Sequence, residues 1–283
     1  MNPWRVAIIA IVITGQFFIP VSAHAGRSYN VAQDLLSQKS GARDEFDLPY
    51  LASVRREIAS SSSPASDQHI VAPRFATYYN GQDGHRVLGN PISPEIVVGS
   101  YPAQYFEKAR LEDHTSERGE AHWRFMYGTL VEELLTARVD LAVAGEVSSF
   151  AYADLHRESL PNRRVPAPVP LLVGVYRDAL GTVFVPHSHD LVADSGHKVP
   201  AMFWEYINRK DLFPGGWLHA VGLPLTEALP ATVTKAGLGR RWIMIQAFER
   251  AILSYDPRNS PEWQVELANV GSDYKKAFPD RVR

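Results

Sequence analysis

The sequence predicts an α+β protein of two tandem repeats, each a short helix plus a β-hairpin, with a Pro-rich connector between them. Three observations predict it: two segments carry the same ordered blocks, apolar residues at helical spacing open the second segment, and branched and aromatic runs of strand type follow. The first segment holds His69, Val71 and Phe75, then Leu88-Gly89-Asn90-Pro91-Ile92-Ser93, then Gln104-Tyr105-Phe106-Glu107-Lys108-Ala109-Arg110-Leu111. The second holds His197, Val199 and Phe203, then Val221-Gly222-Leu223-Pro224-Leu225-Thr226, then Gln246-Ala247-Phe248-Glu249-Arg250-Ala251-Ile252-Leu253. The blocks H-x-V-x-x-x-F, G-x-P-[IL]-[ST] and Q-x-F-E-[KR]-A-x-L keep their order while the intervals vary, as expected where loops change and packed blocks do not.

Phe203, Tyr206 and Ile207 stand at i, i+3 and i+4, one apolar helical face. Pro200 suits its first turn and Pro214-Gly215-Gly216 a stop. Gly222 before Pro224 marks a turn of unusual backbone angle, which the hydroxyl of Thr226, like that of Ser93, is expected to close by bonding a nearby N–H. Residues 242–248 read as a strand, Glu249-Arg250 as a turn and 251–255 as the returning strand; 103–106 and 109–112 repeat the plan. A further strand or short helix is expected near Gly128 and Gly271. Thr129 to Glu132 reads as a capping box, with Leu130, Leu134 and Leu135 on one apolar face. One such unit is too small to bury a helix face and a hairpin face well, whereas two packed together can.

The chain has 283 residues, 29 Lys+Arg against 31 Asp+Glu, and no cysteine. Disulfides, thiol nucleophiles and Cys-ligated metals are excluded, and no net basicity is present to drive nucleic-acid binding. Arg5 is followed by an apolar run over residues 6–21 and then Ala23-His24-Ala25, the small-x-small pattern of a signal-peptidase site. The expected organisation is a signal peptide (1–25), an N-terminal segment and Ser-rich linker (26–67), repeat 1 (68–136), a connector (137–196) and repeat 2 (197–283). The expected location is secreted or extracytoplasmic, with no membrane span after signal cleavage.

Glu107 and Glu249 occupy matching positions and would suit a glycosidase acid and base, yet each sits beside Lys108 or Arg250 at an expected turn, which fits turn stabilisation better. His187-Ser188-His189-Asp190, with His197 nearby, is the best metal-like group, but a polar loop ahead of a helix explains it better, and no metal or other cofactor is assigned. Trp204 and Trp242 read as core, whereas Trp217 and Trp263 stand in polar surroundings and are candidate sugar platforms, together with Gln104, Glu107, Gln246 and Glu249. No G-x-S-x-G, H-E-x-x-H or P-loop pattern occurs.

The pattern resembles the LGFP repeat of secreted and cell-wall-associated bacterial proteins. Its tetrapeptide stands here as Leu88-Gly89-Asn90-Pro91 and Val221-Gly222-Leu223-Pro224, and Lys108-Ala109 and Arg250-Ala251 replace the family's usual glycine after F-E. The resemblance covers roughly 69–135 and 197–275 and implies a non-catalytic module that attaches to cell-wall or other extracellular polysaccharide. The alternatives are a secreted hydrolase of wall polymers using carboxylates or a His-bound metal, and a structural or partner-binding envelope protein.

Overall fold

In the computed structural model, residues 69–117, 124–143, 149–235 and 239–283 are described; the expected signal peptide and the segment to residue 67 lie outside them. The architecture is α+β. Helices α1 (Pro73–Asn80) and α2 (Gly84–Val87) lead into β1 (Pro91–Val98), β2 (Tyr101–Phe106), β3 (Arg110–Asp113) and β4 (Phe125–Tyr127), and α3 (Leu130–Thr136) follows. Later in the chain α5 (Ala201–Ile207) and α6 (Trp217–Ala220) lead into β11 (Leu229–Lys235), β12 (Gly239–Ala247), β13 (Ile252–Tyr255) and β14 (Val265–Leu267), and α7 (Val270–Ala277) follows. Each set of four strands is an antiparallel meander in sequence order.

The expected hairpins are thus the central pairs, β2–β3 and β12–β13, of larger sheets. The outer strands carry weak sequence signals. Edge strand β1 contains Pro91 and Pro94, and its register shifts between Pro91 and Glu95; proline is tolerated there because an edge strand need not donate on both sides. The expected capping box at Thr129 does not form. The Glu132 N–H is taken instead by the carbonyl of Glu249, at 3.2 Å. Pro200 stands one place before α5, as its N-cap, and Pro214-Gly215-Gly216 precedes α6.

The segment expected as a connector has structure of its own: α4 (Tyr152–Glu158), β5 (Val165–Pro166), β6 (Leu172–Val173), β7 (Tyr176–Arg177), β8 (Val183–Pro186) and β9 (Val192–Ala193). With β10 (Ser195–Val199) they form a sheet ordered β5-β10-β8-β7 and a β6–β9 ribbon. Loops and very short strands hide such pairing from a composition reading, because two-residue strands have no detectable period.

Both meanders contribute to both cores. Strand alternation sends Tyr105 and Phe106 to opposite faces. Phe106 packs in one cluster with Phe75, Leu111, Phe203, Phe248 and Leu253. Tyr105 packs in the other with Leu130, Leu134, Tyr152, Ile245, Val270 and Tyr274. Phe106 and Phe248 therefore share one fully buried environment. Helix α7 lies so close to the β2–β3 turn that a Cβ on Gly271 would fall 1.9 Å from the carbonyl oxygen of Phe106. Arg110 is buried among Glu112 (2.6 Å), Glu133 (3.0 Å) and the Tyr105 hydroxyl (3.1 Å). Burial alone would lower its pKa, but Tyr105, Glu112 and Glu133 raise it, so the cation stays charged in the interior.

Two buried glutamines pin the chain entering α1 and α5. Gln104 Nε2 donates to the carbonyls of Ser93 (3.0 Å) and Ile70 (2.8 Å), and its Oε1 accepts from the Ala72 N–H at 2.9 Å. Gln246 Nε2 donates to the carbonyls of Thr226 (2.9 Å) and Lys198 (3.0 Å), but its Oε1 has no partner among the described residues. The reason is covalent: Pro200 stands where the first half has Ala72, and proline has no N–H. Ser93 and Thr226 do bond backbone N–H groups, at Tyr105 (2.9 Å) and Ala247 (3.2 Å), across the sheet and not within the turn.

Pro200 and Ala72 share nearly the same backbone angles, φ −56°, ψ 149° and φ −60°, ψ 141°. Pro200→Ala is therefore expected to supply the missing donor. In a double-mutant cycle read by chemical denaturation, Gln246→Ala should cost about 1 kcal/mol more in the Pro200→Ala background than in the wild type; equal costs would refute the account. Asp256 accepts from Arg241 Nη1 at 2.9 Å and from the Arg258 N–H and Nε at 3.1 and 3.0 Å. Burial would raise its pKa, but Arg241 and Arg258 prevail and hold it at about 2. A depressed carboxylate stabilises fully above its unfolded value and loses that contribution as pH falls. Acid titration from pH 4 towards 2 should thus remove about 1 kcal/mol that an Asp256→Asn variant already lacks.

Candidate functional site

Glu107 and Glu249, from the sequence-predicted set, take matching places at two glycine turns. Gly89 and Gly222 both adopt φ +77°, a left-handed angle that glycine takes at little cost. That geometry aims the next N–H at the glutamate: Asn90 N donates to Glu107 Oε2 at 2.8 Å, and Leu223 N to Glu249 Oε2 at 3.0 Å. A side chain at either glycine would collide with the carboxylate, at 2.7 Å for Gly89 and 2.4 Å for Gly222. Glu249 also meets His189 Nε2 at 3.0 Å and Arg250 Nη1 at 3.5 Å. These carboxylates hold turns, and among the described residues neither is paired with a nucleophile. Gln104 and Gln246 are wholly buried; backbone groups occupy both ends of the Gln104 amide and the Nε2 of Gln246.

The histidines do not gather. His187 Nδ1 lies 2.8 Å from the carbonyl of Ser195, His189 turns to Glu249, and His197 Nδ1 meets Glu227 Oε1 at 3.0 Å. His197 leaves strand β10 towards Glu227; Pro94 stands at the place matching Glu227, so His69 has no such acceptor. Among the described residues no group of three or more His, Asp or Glu is placed to hold a metal ion.

The tryptophans divide differently from expectation. Trp217 begins α6 and leans on Trp204 with ring centroids 5.3 Å apart. Trp263 is partly exposed, with the Arg86 guanidinium 4.5 Å above its ring. Trp242, expected in the core, is 68% exposed, because alternation along β12 turns Ile243 and Ile245 inward and Trp242 outward.

Two clefts accompany these residues. One of about 640 Å³ lies beside Glu107 and α7 and is lined by His85, Lys108, Glu266, Asp273 and Lys276 among others. Its charges are mixed. Burial lowers the Lys108 pKa, and Lys108 Nζ donates to the carbonyl of Arg86 at 2.8 Å. Burial raises the Asp273 pKa against the opposing pull of the Tyr152 hydroxyl, 2.9 Å away, and Lys276.

The other cleft, about 470 Å³, opens between α1, β4 and the turn before α6; its lining is Arg74, Thr77, Tyr78, Arg124, Phe125, Pro214, Gly215 and His219. Tyr78 and Phe125 form an aromatic wall with centroids 5.2 Å apart. Burial pushes the Tyr78 phenol up, against Tyr127 and Gln82, so it is neutral and able to donate. His219 Nε2 bonds the carbonyl of Phe125 at 2.5 Å and fixes the far side. No sequence motif marks this cleft, because its walls come from three separate stretches of chain.

Glu249→Ala would leave the buried Leu223 N–H without its acceptor. It should destabilise by about 1–3 kcal/mol, and Gly222→Ala by at least about 1 kcal/mol, both read by thermal or urea unfolding. Glu249→Gln keeps an acceptor oxygen and should cost less; a Glu249→Ala as stable as wild type would remove the turn-clamp role. No described protein family, curated protein or solved structure matches the chain.

Proposed function

We propose that this protein is an exported, non-enzymatic module that binds extracellular or cell-wall polysaccharide in the Tyr78–Phe125 cleft, and that its two halves descend from one duplicated unit. The observation that carries the binding role is the cleft itself. It has an aromatic wall suited to the apolar C–H face of a sugar ring, with hydrogen-bonding groups at the rim and a volume in the range of small-ligand sites. The LGFP resemblance points the same way. Duplication is supported by bonds at matching places: glutamate to turn N–H, glutamine amide to the carbonyl of Ser93 or Thr226, and hydroxyl to the N–H one residue beyond the glutamine.

The hydrolase alternative would rest on Glu107 and Asp273, which line one cleft. The Glu107 carboxylate is already spent on the Asn90 N–H, so the geometry favours binding over turnover.

The mature chain should sediment with purified cell wall, and Phe125→Ala should abolish retention while the variant, destabilised by lost packing on Phe75, still folds and unfolds cooperatively. Protein left wholly in the supernatant would refute the binding role. Release of soluble sugar that is lost in Glu107→Gln or Asp273→Asn would replace it with hydrolysis.

A further inference from the structure

We propose that the ligand of the Tyr78–Phe125 cleft is an acidic saccharide, one carrying ring carboxylates, and that Arg124 and Arg74 read its charge; this rests on the binding role above. The cleft lining includes two guanidinium groups and no carboxylate. Each guanidinium is anchored along one edge. Arg124 Nε donates to Thr115 Oγ1 at 2.7 Å, and its Cζ stands 5.4 Å from the centre of the Phe125 ring. Arg74 Nε and Nη1 are held by Glu95 (3.2 Å) and by Asp113 (2.7 Å), which is buried. Among the described residues, Nη2 of Arg74 and both Nη atoms of Arg124 have no protein partner.

This arrangement suits a carboxylate better than a hydroxyl. A guanidinium fixed at one edge presents its remaining N–H groups at a set angle, and charge-assisted bonds to a carboxylate are about twice as strong as neutral ones. The aromatic wall beside them supplies the surface for the ring that bears the charge. A neutral glycan would use the wall and leave the Arg124 charge and the remaining N–H groups of both guanidiniums to water. A bare polyanion would use the cations and leave the wall uncovered. The mixed-charge cleft beside Glu107 offers no comparable selection.

Isothermal titration of the mature chain with trigalacturonic acid, neutral galactotriose and a glycerol-phosphate polymer tests this. The acidic trisaccharide should bind about tenfold or more tighter than the neutral one, the value of a charge-assisted bond. Added salt should weaken the acidic ligand alone. Arg124→Gln, which leaves the Arg74–Asp113 anchor intact, should bring the acidic ligand down to the neutral level without shifting the unfolding temperature. Equal affinity for both trisaccharides, an unchanged Arg124→Gln, or equally tight glycerol-phosphate binding would each overturn the acidic-saccharide assignment. Neutral glycans that bind and are lost in Phe125→Ala would leave the underlying binding role standing. Failure of every glycan together with failure to sediment with cell wall would take that role down as well.

Discussion

Each half of the molecule turns on one glutamate that uses its carboxylate, its N–H and its carbonyl at once. Glu107 takes the Asn90 N–H on its carboxylate, donates its own N–H to the Asn90 carbonyl at 3.0 Å, and accepts on its carbonyl from Ser272 in the other half at 2.9 Å. Glu249 does the same with Leu223 and with Glu132, at 3.0, 3.0 and 3.2 Å. The glycine turn, the end of a central strand and the first turn of the opposite helix are therefore held by a single residue. Buried backbone groups must find partners, and here they find them across the two halves. Neither half would satisfy its own helix start alone.

That reciprocity explains the close packing and the shared cores. Gly271 carries no side chain because the carbonyl of Phe106 occupies its space. Tyr105 and Tyr274 stack at 5.5 Å, and Tyr274 donates to Glu133 at 2.5 Å, so the same seam is both apolar and hydrogen-bonded. Arg250 Nε reaches the carbonyl of Tyr127 at 2.8 Å and Lys275 Nζ that of Ile92 at 2.6 Å. A chain without disulfides gains its rigidity from such seams.

The places where the halves differ are as informative as those where they agree. Beside Glu249 the space is taken by Arg250, whose guanidinium also donates to the carbonyl of Leu218, and by His189. Beside Glu107 a polar cleft stays open. The aromatic cleft at Tyr78 likewise needs Phe125 from one half and the Pro214–His219 stretch from the other. Under the proposed duplication, a copied scaffold has been kept for stability while its margins diverged, which is where binding surfaces arise.

The paired blocks were sufficient to place helices at Phe75 and Phe203, hairpin strands at Gln104–Phe106 and Gln246–Ala247, and turns at Gly89 and Gly222, because local propensity and backbone sterics act within a few residues. They also made plain that Glu107 and Glu249 belong to turns. The expected strand or helix near Gly128 and Gly271 is met by both, β4 with α3 and β14 with α7, but the blocks gave no sign of the first strand of each meander, β1 and β11, where prolines mask the pattern, or of the sheet that begins within 137–196, most of whose strands are too short to show a period. Nor could they reveal that Trp242 faces solvent, since a strand's inward side is set by what packs against it. The cleft of Arg74, Tyr78, Arg124, Phe125 and His219 exists only once residues far apart in the chain are brought together. Such proximity is the product of long-range packing, and no local pattern encodes it.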